Sequence, residues 1–306
     1  MSDPAAPTPL IDRPALARRR ARAARAPELF LQDHVAEGLL DRLAEVNRSF
    51  TAPAVVTAWP QVWEGRLPGA RIVPDDEVLE LEPGAHDLVL HALALHWAND
   101  PVGQIIQCRR ALRPDGLFLG AAFGGQTLAE LRAALGQAEI AVTGGLSPRI
   151  APMGEVRDVG ALLQRAGLAL PVADVETTRV TYADPFALMR DLRAMGESNA
   201  LTARLRRPTR RAVMMEAARL YAQAYGQPDG RVAATFETIH LAGWAPDESQ
   251  PQPLRPGSAA QRLADALGTD ERPAGETASG AGAGRTGTGT GTRAGIGTGT
   301  GDKAPD

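Results

Sequence analysis

Cysteine is all but missing. Cys108 is the single one in 306 residues, which excludes an intramolecular disulfide framework and a zinc site built on several thiolates. A reducing, cytoplasmic setting is therefore expected. Long apolar runs are lacking too: the stretch from Leu88 to Leu95 is less than half of the roughly 18 residues that a membrane span needs. Met1 to Arg25 is rich in proline and arginine and holds no apolar core of secretory-signal length, so neither export nor a transmembrane segment is expected. An imbalance of charge is missing as well, with 33 basic residues against 36 acidic ones. A net charge of -3 supplies no global attraction to nucleic acid or anionic membrane, and no nucleic-acid partner is expected. Lysine occurs once, at Lys303, a trait of base composition rather than of partners. Glycine is unevenly spread, with 11 of the 32 lying between Gly275 and Gly301; that Gly/Thr/Ala-rich stretch cannot bury enough apolar surface to offset chain entropy, so residues 266–306 are expected to be a disordered tail.

What is present reads as alternating strands and helices. Residues 1–27 carry the basic block Arg13, Arg18, Arg19, Arg20, Arg22 and Arg25, either a solvated helix or a docking strip for an acidic surface or RNA. Leu31, Val35, Leu39, Leu40, Leu43 and Val46 recur at helical spacing and predict an amphipathic helix ending before Ser49. Val55-Val56 and Ala70 to Val73 are short strand candidates. His86 to His91 continues apolar to Leu95, as expected of a central parallel strand buried on both faces. Asp100-Pro101 starts a helix that Arg113-Pro114-Asp115-Gly116 stops, and Leu117 to Phe123 reads as the next strand. Thr127 to Glu130 has the spacing of a capping box and predicts a helix to about Ile140. A helix over Glu155 to Ala166, strand-like runs at Leu170–Val175 and Arg179–Tyr182, a helix from Asp184-Pro185 to Met195 and a long helix over Thr209 to Tyr225 follow. The ordered domain is expected to span 28–265, with a helical substrate-side region at about 184–230.

The strand, helix, Leu112 to Gly116 turn and strand recur in this order in class I S-adenosylmethionine-dependent methyltransferases. Several loops sharpen that likeness: Leu93 to Asp100, Gly124 to Leu128, Gly144 to Pro152, Met195 to Asn199, Asp229-Gly230, and Gly243-Trp244 with Glu248 to Gln250. From about Asp12 to Ala260 the chain resembles the methyltransferase-like family of respiratory complex I assembly factor 5. These are arginine hydroxylases acting on an iron–sulfur subunit of NADH dehydrogenase, and the biotin-pathway malonyl-carrier-protein methyltransferases are their wider relatives. The resemblance implies a class I methyltransferase-like (Rossmann-like) α/β doubly wound sheet with N-terminal helices and a C-terminal helical insertion. It implies S-adenosyl-L-methionine as cofactor and a protein substrate or partner, an NADH dehydrogenase subunit.

The chain departs from this pattern after the first strand. The methionine end of such a cofactor lies against a glycine-rich turn, where missing side chains let backbone approach the ligand. Here the turn is Ala58-Trp59-Pro60-Gln61-Val62-Trp63, with no glycine pair, and only about 30 residues, the length of one βαβ unit, separate the strand from Asp87. Gln126 stands where the family has an aspartate.

Candidate site residues follow from position. Asp75 and Asp76 align with the acidic turn near the adenine and, with Leu95, His96 and Trp97, are expected to bind cofactor; the other reading of Pro-Asp-Asp is a solvated turn. His96, Trp97, Asn99 and Asp100 lie just past the carboxyl end of the central strand, where open α/β sheets bind ligands. An imidazole there can move a proton; His96 and, by the resemblance, Glu197 are the expected catalytic residues. An indole can stack on a guanidinium, and Glu197 can pair with one bidentately. Trp97, Asn99, Ser147, Arg149, Ser198 and Asn199 are expected on the substrate side; the plainer reading makes them packing and loop-capping residues, with Asp100 chiefly a helix cap. His86 and His91, five apart, fall on opposite faces of a regular strand, so no metal site is expected. Two functions follow: a methyltransferase-family enzyme that modifies protein during assembly of respiratory NADH dehydrogenase, or a catalytically inactive scaffold of the same fold that binds its partner without cofactor.

Overall fold

The computed structural model describes residues 8–251 and residue 268, and the expected domain end near residue 265 and the tail over 266–306 lie, Gly268 apart, outside the described residues. Those up to Pro251 belong to one compact unit. Its centre is a six-stranded mixed sheet of order β2-β1-β3-β4-β6-β5, built from β1 Pro53–Thr57, β2 Arg71–Val73, β3 His86–Ala92, β4 Leu112–Phe123, β5 Ala169–Tyr182 and β6 Val232–Trp244. The first four strands run parallel, and β6 and β5 join antiparallel. The helices are α1 Arg13–Ala23, α2 Phe30–Glu45, α3 Pro101–Ala111, α4 Ala129–Thr143, α5 Val156–Arg165, α6 Pro185–Ala194 and α7 Arg211–Tyr225. This is the class I methyltransferase-like α/β fold, with α6 and α7 inserted between the last two strands. No described helix is long and apolar enough to cross a membrane.

Strand periodicity sorts the core into two layers. Leu88 and Leu90 of β3 join α2, α4, α6 and α7 on one face, while Val89 meets Ile105 and Cys108 of α3 and Val159 and Leu163 of α5 on the other. Alternation of successive side chains across the sheet requires this split. β3 lies between β1 and β4 and is buried along almost its whole length, as its apolar run predicts. Cys108 is fully buried, and the apolar surroundings push its thiol up to about 12.

The strand stops earlier than its apolar run. Leu93 takes a left-handed backbone (φ 47°), and Leu95–Trp97 form a single 3-10 turn, which swings His96 and Trp97 over the carboxyl edge of the sheet. Pro101 and Pro185 open their helices, with Asp100 and Asp184 accepting from the backbone N–H of Gly103 and Ala187, as read from sequence. The two strand-like runs after Gly167 are one strand, β5, paired along its length with β6. β6 itself went unread, because its Ala, Thr and Gly content hides a central strand.

The capping box is corrected. Leu128, at φ 54°, turns the chain so that Thr127 faces β6 instead of the helix. Its hydroxyl donates to the Glu237 carbonyl at 2.9 Å and accepts from the Glu237 N–H at 3.0 Å. Glu130 accepts from the backbone N–H and hydroxyl of Thr235. The helix therefore begins at Ala129 and is tied to the sheet by side chains that resemble caps. Thr127→Val leaves a buried N–H without partner and should lower stability in urea unfolding by about 1–3 kcal/mol; a loss within error would return Thr127 to the role of a surface cap.

Candidate functional site

The parallel strands β1, β2 and β3 end along one edge, the place where a nucleotide cofactor would lie. After β1 the chain makes a 3-10 turn, Pro60–Trp63, in place of a full helix, so the connection to β2 is shortened as its length predicts. Trp59, Val62 and Trp63 are buried in the same apolar cluster as Leu31, Val35 and Leu88. Gly196 closes on this turn at φ +79°, where an added Cβ would meet Trp59 Cζ2 at 3.2 Å and Arg20 Cγ at 3.1 Å. The backbone at Gly196 thus packs directly against the Trp59 indole.

Asp75 and Asp76, just past β2, have opposite fates. Asp75 is 4% exposed. Arg20 Nη1 donates to its two carboxylate oxygens at 2.7 and 2.9 Å, and Arg13 Nη1 to Oδ2 at 3.3 Å. Arg13 also donates to the Asp75 carbonyl. Burial alone would raise the Asp75 pKa, but the two guanidinium groups outweigh it and hold the carboxyl below its usual range. Asp76 is exposed, with Arg13 at 3.7 Å. Gln104 of α3 donates to the carbonyls of Asp75 and Asp76 and accepts from His91 Nε2 at 2.8 Å. The basic block is therefore neither a plain solvated face nor a free docking strip. Arg13 and Arg20, seven residues and nearly two turns apart, share a face that seals the acid.

The second half of the edge carries an open cavity of ≈ 300 Å³. Trp97, Arg149, Glu197, Ser198 and Asn199 line it, with Phe123, Leu192, Met214 and Phe236 among the apolar walls. The Glu197 side chain is 8% exposed, and its Oε2 accepts from Trp97 Nε1 at 2.8 Å and lies 3.3 Å from His96 Nε2. The Phe123 N–H points at His96 Nδ1 at 3.5 Å, which makes Nδ1 the acceptor and Nε2 the donor to Glu197. His96, with its side chain 2% exposed, stands behind Glu197 and positions it. Among the described residues Oε1 of Glu197 has no hydrogen-bond partner, so this carboxylate presents one spare acceptor to the cavity.

The remaining expected residues separate into binding and scaffolding positions. Leu95 and His96 line a neighbouring cavity of ≈ 270 Å³ with Leu10 and Met153, away from Asp75. Asn99 accepts from the Ile11 N–H at 2.8 Å and donates to its carbonyl at 3.1 Å, clamping the N-terminal segment. Asn199 donates to the Pro148 carbonyl and accepts from the Leu201 N–H, so it braces two loops at the cavity wall. Ser147 lies outside this cavity, its hydroxyl on Glu139 at 2.7 and 2.9 Å. Among the described residues no group of three or more His, Cys, Asp or Glu could hold a metal ion.

Sequence reasoning passed over Glu139, which organises the Gly144 to Pro152 loop. Arg149 grips it with Nε at 3.0 Å and Nη2 at 2.7 Å, and donates through Nη1 to Thr209 Oγ1 at 3.0 Å. Burial works against the Glu139 charge, yet the hydrogen bonds from Arg149 and Ser147 lower its pKa from 4.5 to about 2. A depressed folded-state pKa stabilises fully above pH 4.5 and is lost as pH falls towards 2. Ser147 supplies part of that shift and remains in the variant, so Arg149→Leu should cost about 1–3 kcal/mol at pH 7, measured by urea unfolding, with the gap to the parent narrowing between pH 4.5 and 2; a gap that is constant across that window would refute the pairing.

Residues 42–120 match a family model described as a methyltransferase domain. The chain is 38% identical over 237 residues to the mitochondrial arginine-hydroxylase NDUFAF5 of Danio rerio, covering 76% of this chain and 72% of that protein. Against the Mus musculus protein of the same name it is 40% identical over 214 residues, 70% of this chain and 62% of that one. A malonyl-[acyl-carrier protein] O-methyltransferase of Halorhodospira halophila is 36% identical over 219 residues, covering 69% and 70% of the two chains. Among solved structures, the YcgJ protein from Bacillus aligns with a TM-score of 0.44 at 12% identity over 70% of this chain and 99% of its own.

Proposed function

The chain belongs to the family of the NDUFAF5 arginine hydroxylases, and from that premise we propose that it is a methyltransferase-family protein serving assembly of respiratory NADH dehydrogenase, receiving an arginine side chain of a protein partner at Glu197. One observation carries this reading: a carboxylate in the cavity wall, fixed through one oxygen by Trp97 and His96 and unpartnered at the other. Removal from bulk water strengthens a charge-assisted hydrogen bond from a guanidinium to that oxygen. Trp97 and Phe123 supply apolar and aromatic wall on which a planar guanidinium stacks. Ser198, Asn199 and Arg149 shape the rim, and His96 positions Glu197. The partner is an NADH dehydrogenase subunit met in the cytoplasm, in line with the lone buried thiol; the relatives named above are mitochondrial by name.

S-adenosylmethionine is the cofactor that the family implies, and the residues at its crevice do not fit it. Trp59 and Trp63 fill the turn after β1, Gly196 closes on the indole, and Asp75, the acid expected near the adenine, is saturated by Arg13 and Arg20. This packing favours the second reading, a scaffold that binds its partner without cofactor.

Two measurements decide. Glu197→Gln should weaken calorimetric binding of agmatine, a small guanidinium probe, by about tenfold or more, the size of one charge-assisted hydrogen bond, and should lose NADH dehydrogenase subunits in affinity capture; unchanged binding of both sinks the arginine-receiving role. Titration with S-adenosylmethionine should give no heat of binding at millimolar ligand. Micromolar binding that disappears in Asp75→Ala/Asp76→Ala would instead establish the cofactor and remove the scaffold reading.

A further inference from the structure

The wall of the Glu197 cavity also carries positive charge that nothing in the described chain neutralises. Arg19 and Arg22 of α1 and Arg193 of α6 line it. The nearby acids are already engaged: Asp75 with Arg13 and Arg20, Asp12 with Arg204 at 2.9 Å, and Glu197 through one oxygen with Trp97 and His96. Among the described residues Arg19, Arg22 and Arg193 make no ion pair. Arg19 Nε is shielded from solvent and has no hydrogen-bond partner among the described residues. A buried donor left unpaired costs its full desolvation, so this guanidinium is not satisfied by the described chain. Burial and the like charges of Arg204 and Arg22 push the Arg19 pKa down and outweigh the nearby Asp12, which raises it, so the electrostatics of the site also favour an added anion.

We propose that Arg19, Arg22 and Arg193 form a carboxylate-binding subsite of the Glu197 cavity, which takes an acidic side chain of the partner. As a statement about the partner this rests on the reading of Glu197 given above; as an oxyanion site it stands on the arginines alone. A carboxylate fits better than a phosphate for two reasons. Its planar pair of oxygens matches a guanidinium fork, and a single negative charge meets less repulsion from Glu197 than a phosphate dianion. The cavity is thereby dipolar, anionic at Glu197 and cationic at α1 and α6, and it selects a partner segment that presents an arginine and a nearby aspartate or glutamate. Like charges bar the alternatives: an arginine-only segment is repelled at the α1 side, and an acidic-only segment at Glu197.

The test uses the full chain and three small probes in calorimetric titrations: N-acetylglutamic acid α-amide, inorganic phosphate and agmatine. The carboxylate probe should bind the parent and weaken about tenfold or more in Arg19→Gln/Arg22→Gln, while agmatine binds that variant as well as or better than the parent. Glutamine keeps helix propensity, and circular dichroism with thermal unfolding verifies the fold; Arg193→Gln, on an exposed position, serves as the independent single variant, and Arg219→Gln, an exposed arginine paired with Glu216, as the neutral comparison. No heat with the carboxylate probe up to about 50 mM, or equal affinity in parent and variants, overturns the subsite. Phosphate binding about tenfold or more tighter than the carboxylate overturns the assignment to an acidic side chain. Carboxylate binding as expected with no agmatine binding leaves the subsite standing and removes the guanidinium role of Glu197.

Discussion

The buried carboxylate of Asp75 is the constraint around which the carboxyl edge of the sheet is organised. A charge taken out of water must be met by opposite charge and hydrogen bonds, and here both come from α1, through Arg13 and Arg20. That requirement holds α1 across the ends of β1 and β2. Gln104 extends it to α3 and, through His91, to β3. The same helix then delivers Arg19 and Arg22 to the neighbouring cavity, and the segment before it is held by Asn99 and by the bridge from Ile11 to Leu201. An N-terminal segment that reads as an appendage is thus a wall of two sites.

The two halves of the edge differ in how their polar groups are spent. On the β2 side the buried polar groups are consumed internally, Asp75 by two arginines and Gln104 by backbone carbonyls and His91, and only the exposed Asp76 is left over. On the β4 side Glu197 keeps an oxygen and α1 and α6 keep three guanidinium groups. Binding capacity follows the unspent groups. The apolar walls between them exclude water and raise the worth of each charge.

Sequence reading recovered the fold wherever local chemistry and tertiary demand agree. Asp100 and Asp184 cap helices because their side chains reach only their own first turns. Periodicity of Leu31, Val35 and Leu39 marks the inner face of α2. It failed where a long-range partner outbid the local one. Thr127 and Glu130 have capping spacing, yet β6 offers buried backbone groups that need them more. Asp75 reads as ligand-facing because nothing near it in sequence shows that Arg13 and Arg20, 62 and 55 residues away, will reach it. Their seven-residue spacing was the available signal. Glu139 was silent for the same reason, its partners lying in the next loop. Loop resemblance put Trp97 and Glu197 on one list of candidate site residues, but the 2.8 Å contact between their side chains had no signal in the sequence.

The energetics of the filled crevice decide how far the edge can revert to a nucleotide site. Trp59 and Trp63 are each at most 5% exposed, and withdrawing one indole of roughly 200 Å² costs on the order of 5 kcal/mol at most. Freeing Asp75 adds the loss of its guanidinium partners, which in a buried setting is about 3–5 kcal/mol. An open state that lies even about 5 kcal/mol above the closed one is populated at about one part in several thousand, and a ligand that needs it binds weaker by that factor. Micromolar intrinsic affinity would become millimolar or worse. No comparable cost guards the Glu197 cavity, which is open with α1 in place. The packing that fills the β1–β2 half of the edge therefore leaves the Glu197 cavity open.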